Sequence, residues 1–139
     1  MPCFTLRTSL QKTASAACSI EEDSDITDVM SFTSRVTWKI SRDGSITLLS
    51  RITSDKPDQI LGRLGYLMQV PSSLADFTYY GRGPVENYSD RYTNAFVGIY
   101  SSTVEDEVGN YTKPQDMANH EQVRWASLTG RRGRGICFE

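Results

Sequence analysis

The sequence predicts an all-β chain, an antiparallel β-sandwich, and three observations carry that expectation. Apolar residues recur at every second position through most of the chain. Groups of Gly, Asp, Pro and Ser separate the alternating runs. No stretch combines a wide apolar face at helical spacing with a firm cap in front of it. The 139 residues suffice for one domain able to bury about two thirds of its extended-chain surface. With 38% hydrophobic and 23% charged residues, seven Tyr, five Phe and two Trp, the composition excludes a disordered tail, a collagen and a disulfide framework.

Taken from the N-terminus, Phe4, Leu6, Thr8 and Leu10 alternate, as do Ala14, Ala16, Cys18 and Ile20, which favours two strands over a helix through Leu10 to Cys18. The acidic stretch Glu21 to Asp28 reads as a solvated loop. In Arg35 to Ile40, Val36, Trp38 and Ile40 point one way and Arg35, Thr37 and Lys39 the other, as a half-buried strand requires. Arg42-Asp43-Gly44 supplies a turn, and Ser45 to Ile52 resumes with Ile46, Leu48 and Ile52 on one face, completing a hairpin. After the polar connection Ser54 to Gly62, Leu64, Tyr66, Met68 and Val70 alternate and predict a strand ended by Pro71. Phe77 to Tyr80, Phe96 to Tyr100, Val123 to Leu128 and Gly135 to Phe138 are further short strands.

Charge and cysteine usage narrow the function classes. Fifteen Lys and Arg against seventeen Asp and Glu leave a net charge of −2, which supplies no general attraction to phosphate backbones or anionic lipid. No window approaches the roughly twenty apolar residues of a membrane span. Neither nucleic acid nor a membrane is an expected partner. Cys3, Cys18 and Cys137 show no metal-ligand spacing and read as small buried hydrophobes. Arg131, Arg132 and Arg134, set among Gly130, Gly133 and Gly135, read as a polar hairpin turn rather than an RNA-binding tract.

Two polar segments stand out. In Tyr79 to Arg91, YYGRGPVENYSDR, Gly81 and Gly83 permit conformations closed to other residues, and Pro84 fixes φ. Glu86, Asn87, Tyr88, Asp90 and Arg91 then surround the loop with donors, acceptors and an aromatic ring. One reading is structural, with Glu86 or Asp90 paired to Arg82 or Arg91. The other is contact with a polyol such as a sugar. In Tyr111 to Trp125, YTKPQDMANHEQVRW, Pro114 restricts Lys113 to an extended conformation, and Gln115, Asp116, Asn119, His120 and Arg124 supply the hydrogen-bonding groups of a polar cleft that ends on a strand with Trp125. Pro114, Gln115, Asn119, Arg124 and Trp125 are the candidate carbohydrate contacts. His120 is the sole histidine, there is no nucleophile elbow beside it, and it reads as an exposed loop residue. Sugar hydrolysis needs two carboxylates about 5 Å, or about 6.5 to 9.5 Å, apart. Nothing selects such a pair among the many acidic residues, and Glu105-Asp106-Glu107 reads as a solvated loop.

The same residues carry a resemblance. YYGRGPVENYSDR, followed by Val97-Gly98-Ile99-Tyr100-Ser101, Tyr111, Pro114-Gln115, Asn119 and Val123-Arg124-Trp125, resembles the small-chain or fifth domain of the large β-galactosidases of glycoside hydrolase family 2. Leu61 to Pro71 resembles the strand before that loop, and the likeness covers residues 35 to 139. It implies a galactose-mutarotase-like supersandwich, of which this chain forms part. It also implies an accessory role beside a catalytic barrel that hydrolyses terminal β-galactosides through two glutamates. Both glutamates belong to the barrel, so no residue here inherits a catalytic role. The resemblance implies no cofactor in this chain, with Mg an expectation for the parent enzyme, and the barrel and a galactoside as partners. An incomplete sheet would leave an unpaired edge and an exposed apolar face, which predicts either self-association into a homo-oligomer or dependence on a missing segment. Ala118 replaces the family's usual Gly, and His120 its usual basic residue. A stand-alone carbohydrate-binding module and an aldose mutarotase using His120 with Glu121 or Glu86 are the alternatives.

Overall fold

A computed structural model describes residues 8–12, 17–24, 32–56, 58, 60, 64–113 and 115–139, with the strand pairing alone for 8–12 and 17–24. Its strands are β1 (Thr8–Lys12), β2 (Ala17–Ser24), β3 (Phe32–Ile40), β4 (Ile46–Ser54), β5 (Asp76–Gly83), β6 (Phe96–Thr103), β7 (Trp125–Thr129) and β8 (Gly135–Phe138). There is no helix among the described residues. The strands form two antiparallel four-stranded sheets, ordered β1-β2-β3-β4 and β6-β5-β7-β8, as the all-β sandwich class requires. The chain divides into two compact units, Met1–Gly65 and Tyr66–Glu139, each holding one sheet.

The first unit is a meander. Trp38 stands opposite Leu48 and Ile40 opposite Ile46, so the alternating positions of β3 and β4 share a face, with Val36 buried at its centre. The β3–β4 turn closes where Asp43-Gly44 predicts it. Gly44 takes a φ of 90°, the Gly44 N–H donates to the Ser41 carbonyl at 3.1 Å, and the Ser45 N–H donates to Asp43 Oδ1 at 2.9 Å. That last bond holds the Asp43 carboxyl below its ordinary value. Two strands, not a helix, occupy the described part of Leu10 to Cys18.

Two expectations fail here for one reason, the presence or absence of a neighbouring strand. Glu21–Ser24 is not a solvated loop but the second half of β2, where β3 supplies a ladder and Glu21 falls opposite Arg35; residues 25–28 lie outside the described residues. Conversely, Leu64 to Val70 alternates but joins neither sheet, and both Tyr66 and Leu67, on opposite parities, are exposed. Alternation makes a strand only where a ladder is offered.

In the second unit β5 is central, flanked by β6 and β7. Tyr79 stands opposite Tyr100 on β6 and Ala126 on β7 and is buried to 1% exposure. Its ring packs on Phe77 at 5.0 Å and Tyr100 at 5.7 Å between centroids. The glycines that end β5 are demanded by this packing. A Cβ on Gly81 would lie 2.9 Å from Val123 Cγ2, and one on Gly83 would run into the Tyr79 hydroxyl and lie 2.7 Å from the Tyr100 ring. The β7–β8 turn forms as expected, with Gly133 at a φ of 65° and Arg131, Arg132 and Arg134 exposed. Cys137 is exposed rather than buried, because β8 is an edge strand with a single neighbour. Cys3 and the side chain of Cys18 lie outside the described residues.

Burial first, then the charges of Glu107 and Tyr100, push the Tyr79 phenol up from 10 to about 12. The unfolded chain releases this proton from about pH 10, whereas the folded chain keeps it until about pH 12. In that window the unfolded state binds fewer protons, so stability is complete below it and falls across it. Denaturant titrations between pH 9 and 12 are expected to show the wild-type chain losing about 2 to 3 kcal/mol more than Tyr79→Phe, which lacks the titrating group.

Candidate functional site

The polar residues singled out by the sequence converge at the end of β5, where the 84–95 loop meets the connection leading into β7. Asn87 is fully buried, with 0% exposure, and every polar group it owns has a partner. Its Nδ2 donates to the carbonyls of Arg82 at 3.0 Å and Val85 at 2.9 Å. Its Oδ1 accepts the Glu121 N–H at 2.8 Å. Its backbone N–H donates to the Asn119 carbonyl at 2.8 Å, and its carbonyl accepts Asn119 Nδ2 at 2.6 Å. One side chain thus pins its own loop to β5 and locks a second loop onto the first.

Glu86 makes the next tie. Its Oε1 accepts from Arg91 at 2.6 Å and from the Tyr111 hydroxyl, and its Oε2 accepts the Ala118 N–H at 2.9 Å. The Tyr111 hydroxyl, then the Ala118 N–H and the Arg91 charge, hold the Glu86 carboxyl below its ordinary value against the opposing effect of burial. Of the ion pairs expected in this segment, Glu86–Arg91 is the one formed. Three arginines lie over tyrosine rings: Arg82 on Tyr92 at 4.7 Å, Arg91 on Tyr88 at 4.8 Å and Arg124 on Tyr80 at 4.8 Å. Burial, then the Glu86 charge, pushes the Tyr88 phenol above its ordinary value.

His120 is not an exposed loop residue. Its side chain is 4% exposed, its ring lies 4.2 Å from that of Tyr79, and its Nε2 is 2.8 Å from Glu107 Oε2. Glu107 is correspondingly not solvated, since Ser102 donates its hydroxyl to the other carboxylate oxygen. Sequence reasoning missed Glu107, Tyr111 and Gln122, the last accepting Arg82 Nε at 3.0 Å. Their partners lie 13 to 40 residues away, and nothing local marks which acidic or amide group will meet them.

Of the candidate sugar contacts, Pro114 lies outside the described residues and Gln115 is exposed. Asn119 gives its amide to Asn87 and, at 3.3 Å, to Glu121. Arg124 extends the β5–β7 ladder through its N–H to the Tyr80 carbonyl at 2.8 Å, and Trp125 opens β7 half-buried, opposite Tyr80 in register. The structure therefore gathers Arg124 and Trp125 beside Tyr80, and Asn119 beside Asn87. Of the loop residues, Gly81, Gly83, Glu86, Asn87, Tyr88 and Arg91 all bear on this cluster, while Pro84 and Asp90 are exposed. A cleft of about 390 Å³ is lined by Val85, Glu86, Ser102, Asp106, Glu107 and Tyr111, among others. Both oxygens of Glu86 and of Glu107 are engaged, so neither is a free acid or base. No group of three His, Cys, Asp or Glu able to hold a metal exists among the described residues.

In the second unit the antiparallel sheet and this interlocked loop cluster define a β unit that presents pre-shaped loops at one end of β5. The chain belongs to the β-galactosidase small chain family, which it matches over residues 4–139. It is 33% identical over 104 residues to a β-galactosidase of Priestia megaterium (strain DSM 319 / IMG 1521), covering 75% of this chain and 10% of that protein. It is 32% identical over 98 residues to a β-galactosidase of Lactobacillus delbrueckii subsp. bulgaricus, covering 70% and 10%. With the β-galactosidase BgaC of Bifidobacterium adolescentis it shares 42% identity over 67 residues, 48% of this chain and 6% of that one. The chain thus spans about a tenth or less of the relatives it matches.

Two measurements test the cluster. Asn87→Ala leaves three buried backbone groups unpaired and is expected to lower unfolding stability by about 3 kcal/mol. Asn87→Asp, the same size but with an acceptor facing two carbonyls, is expected to be worse still; equal losses would mean that Asn87 acts by volume alone. Ala118 holds a φ of 63°, which costs a Cβ-bearing residue roughly 1 kcal/mol. Ala118→Gly is therefore expected to raise the urea midpoint by an amount worth about 1 kcal/mol.

Proposed function

We propose that this chain is an accessory segment of a larger β-galactosidase, seated against its parent's catalytic barrel and helping to shape the carbohydrate site where terminal β-galactosides are hydrolysed. The observation that carries this reading is the small-chain family match over residues 4–139, in a chain whose aligned part covers 10% of the β-galactosidases related to it.

Two physical features support it. Large apolar side chains stand uncovered, with Phe96 72% and Leu67 94% exposed, and a surface of that kind marks contact with further protein. The loop cluster also holds its shape through its own buried bonds, as a surface that contours a neighbouring site must. With Glu86 and Glu107 engaged in those bonds, we assign bond breaking, and any Mg, to the parent's barrel. Gln115, Asn119, Arg124 and Trp125, with Pro114, are the groups we assign to the sugar side. The same uncovered faces make self-association of the isolated chain an expected behaviour.

An antibody raised against the chain is expected to detect, in the source cells, a polypeptide several times its size that co-elutes with galactoside-hydrolysing activity. The purified chain alone is expected to release no nitrophenol from a nitrophenyl β-galactoside. A natural product of this length that binds galactosides in calorimetry, with no larger form, would replace the accessory reading with a stand-alone binding module.

A further inference from the structure

We propose that the outer edge of β6 pairs with β6 of a second copy of this chain, antiparallel about a two-fold axis at Ile99, joining two four-stranded sheets into one. The inference rests on the open edge and not on the accessory role, which the search for a larger polypeptide tests separately.

The direction of the backbone groups settles which residues can pair. On β5 the Tyr80 carbonyl accepts the Arg124 N–H at 2.8 Å and Arg82 donates its N–H to the Glu121 carbonyl at 3.0 Å, so both turn their backbone groups toward the β7 side. The alternate residues Tyr79, Gly81 and Gly83 therefore face β6, opposite Tyr100, Gly98 and Phe96. Val97, Ile99 and Ser101 then point their N–H and carbonyl groups away from β5, where no described strand receives them. The run is bounded at both ends. The Thr103 carbonyl accepts the Glu107 N–H at 3.3 Å, while Ala95 gives its N–H to the Tyr92 carbonyl and accepts from Arg82 at 2.8 Å. These three residues form a ladder complementary to itself. With the axis at Ile99, Val97 meets the second copy's Ser101, Ile99 meets its equivalent and Ser101 meets Val97, so every outward donor and acceptor is used. Moving the axis to Gly98 or Tyr100 brings in Ala95 or Thr103, whose groups are already engaged.

The occupant follows from the chemistry of the strand. FVGIYSST carries no charge and no proline, two devices that keep an edge from pairing with its like. The other described edges have a charge or are short: Lys12 lies in β1, Arg51 in β4, and β8 is four residues long, preceded by Arg134. Two-fold pairing sets a strand against its own sequence, so a charged edge opposes itself and this one does not. On one face Ile99, 66% exposed and flanked by Val97, gains the second copy's Ile99 as a cross-strand neighbour. The Ser101 hydroxyl on that face is already bonded to that of Thr78 at 3.0 Å, so pairing strands no polar group. On the other face Phe96, 72% exposed, comes opposite the second copy's Ser102.

Sedimentation equilibrium of the full 139-residue chain, reduced so that exposed Cys137 cannot cross-link it, is run from about 1 μM to about 1 mM. A monomer–dimer equilibrium is expected. Ile99→Lys sets two ammonium groups against each other and is expected to weaken dimerisation by about a hundredfold or more. Ser101→Pro removes an outward donor and leaves the bonds to β5 intact, and is expected to weaken it by roughly tenfold or more. Ile136→Lys, on β8, is expected to change nothing. Should a variant fail to fold, amide hydrogen exchange of the wild type decides the matter. Between the dilute and concentrated ends, the amides of Val97, Ile99 and Ser101 are expected to gain roughly tenfold or more protection, while those of Gly98 and Tyr100, already facing β5, hold theirs. A chain monomeric throughout, a dimer indifferent to Ile99→Lys, equal weakening by Ile136→Lys, or protection that does not alternate along β6 overturns the proposal; the first of these leaves the edge to a strand of another polypeptide.

Discussion

A single buried amide holds the second unit in order. Asn87 has no contact with solvent, yet five hydrogen bonds join it to Arg82, Val85, Asn119 and Glu121. Asparagine alone brings two donors and an acceptor to this depth on so short a stem. A carboxylate would oppose the two carbonyls, and a glutamine would carry its amide one carbon too far. The other ties follow from it. With the Asn87 backbone locked to Asn119, Glu86 is placed to receive the Ala118 N–H, and His120 is carried beneath Arg82 toward Glu107.

The energetic character of this unit follows from what surrounds that amide. Its fully buried apolar residues among those described are Tyr79 and Ala95, so specificity there rests on hydrogen-bond geometry as much as on apolar area. Each tie imposes a requirement on the backbone. Gly81 and Gly83 leave room for Val123 and for the Tyr79–Tyr100 pair, and Ala118 and Gln122 accept positive φ values of 63° and 54° so that the residues between them can face Asn87 and Glu107. The strain at these two positions is set against the hydrogen bonds made by Ala118, Asn119, His120, Glu121 and Gln122.

Much of this was legible in the sequence, and the boundary of legibility has a physical cause. Val36, Trp38, Leu48 and Ile52 announce their strands because sheet burial acts on alternate residues, and that periodicity is local. Asp43-Gly44 announces its turn because positive φ is a property of one residue. Leu64 to Val70 shows the same alternation and forms no strand, since the ladder it needs has to come from another segment. Glu107 and His120 illustrate the converse: each looks like an ordinary polar loop residue, and only their meeting across 13 positions makes them a buried pair.

The sequence by itself determined the strand class, the hairpins and the list of polar residues gathered around Tyr79 to Arg91 and Tyr111 to Trp125. These rest on periodicity, turn chemistry and residue type, all of which act within a few positions. Only the tertiary structure decided which of those polar groups are partners, which are buried, and that Asn87 is the centre around which they are arranged. Pairing depends on the distance between segments far apart in the chain, and that distance exists only once β5, β6 and β7 have assembled.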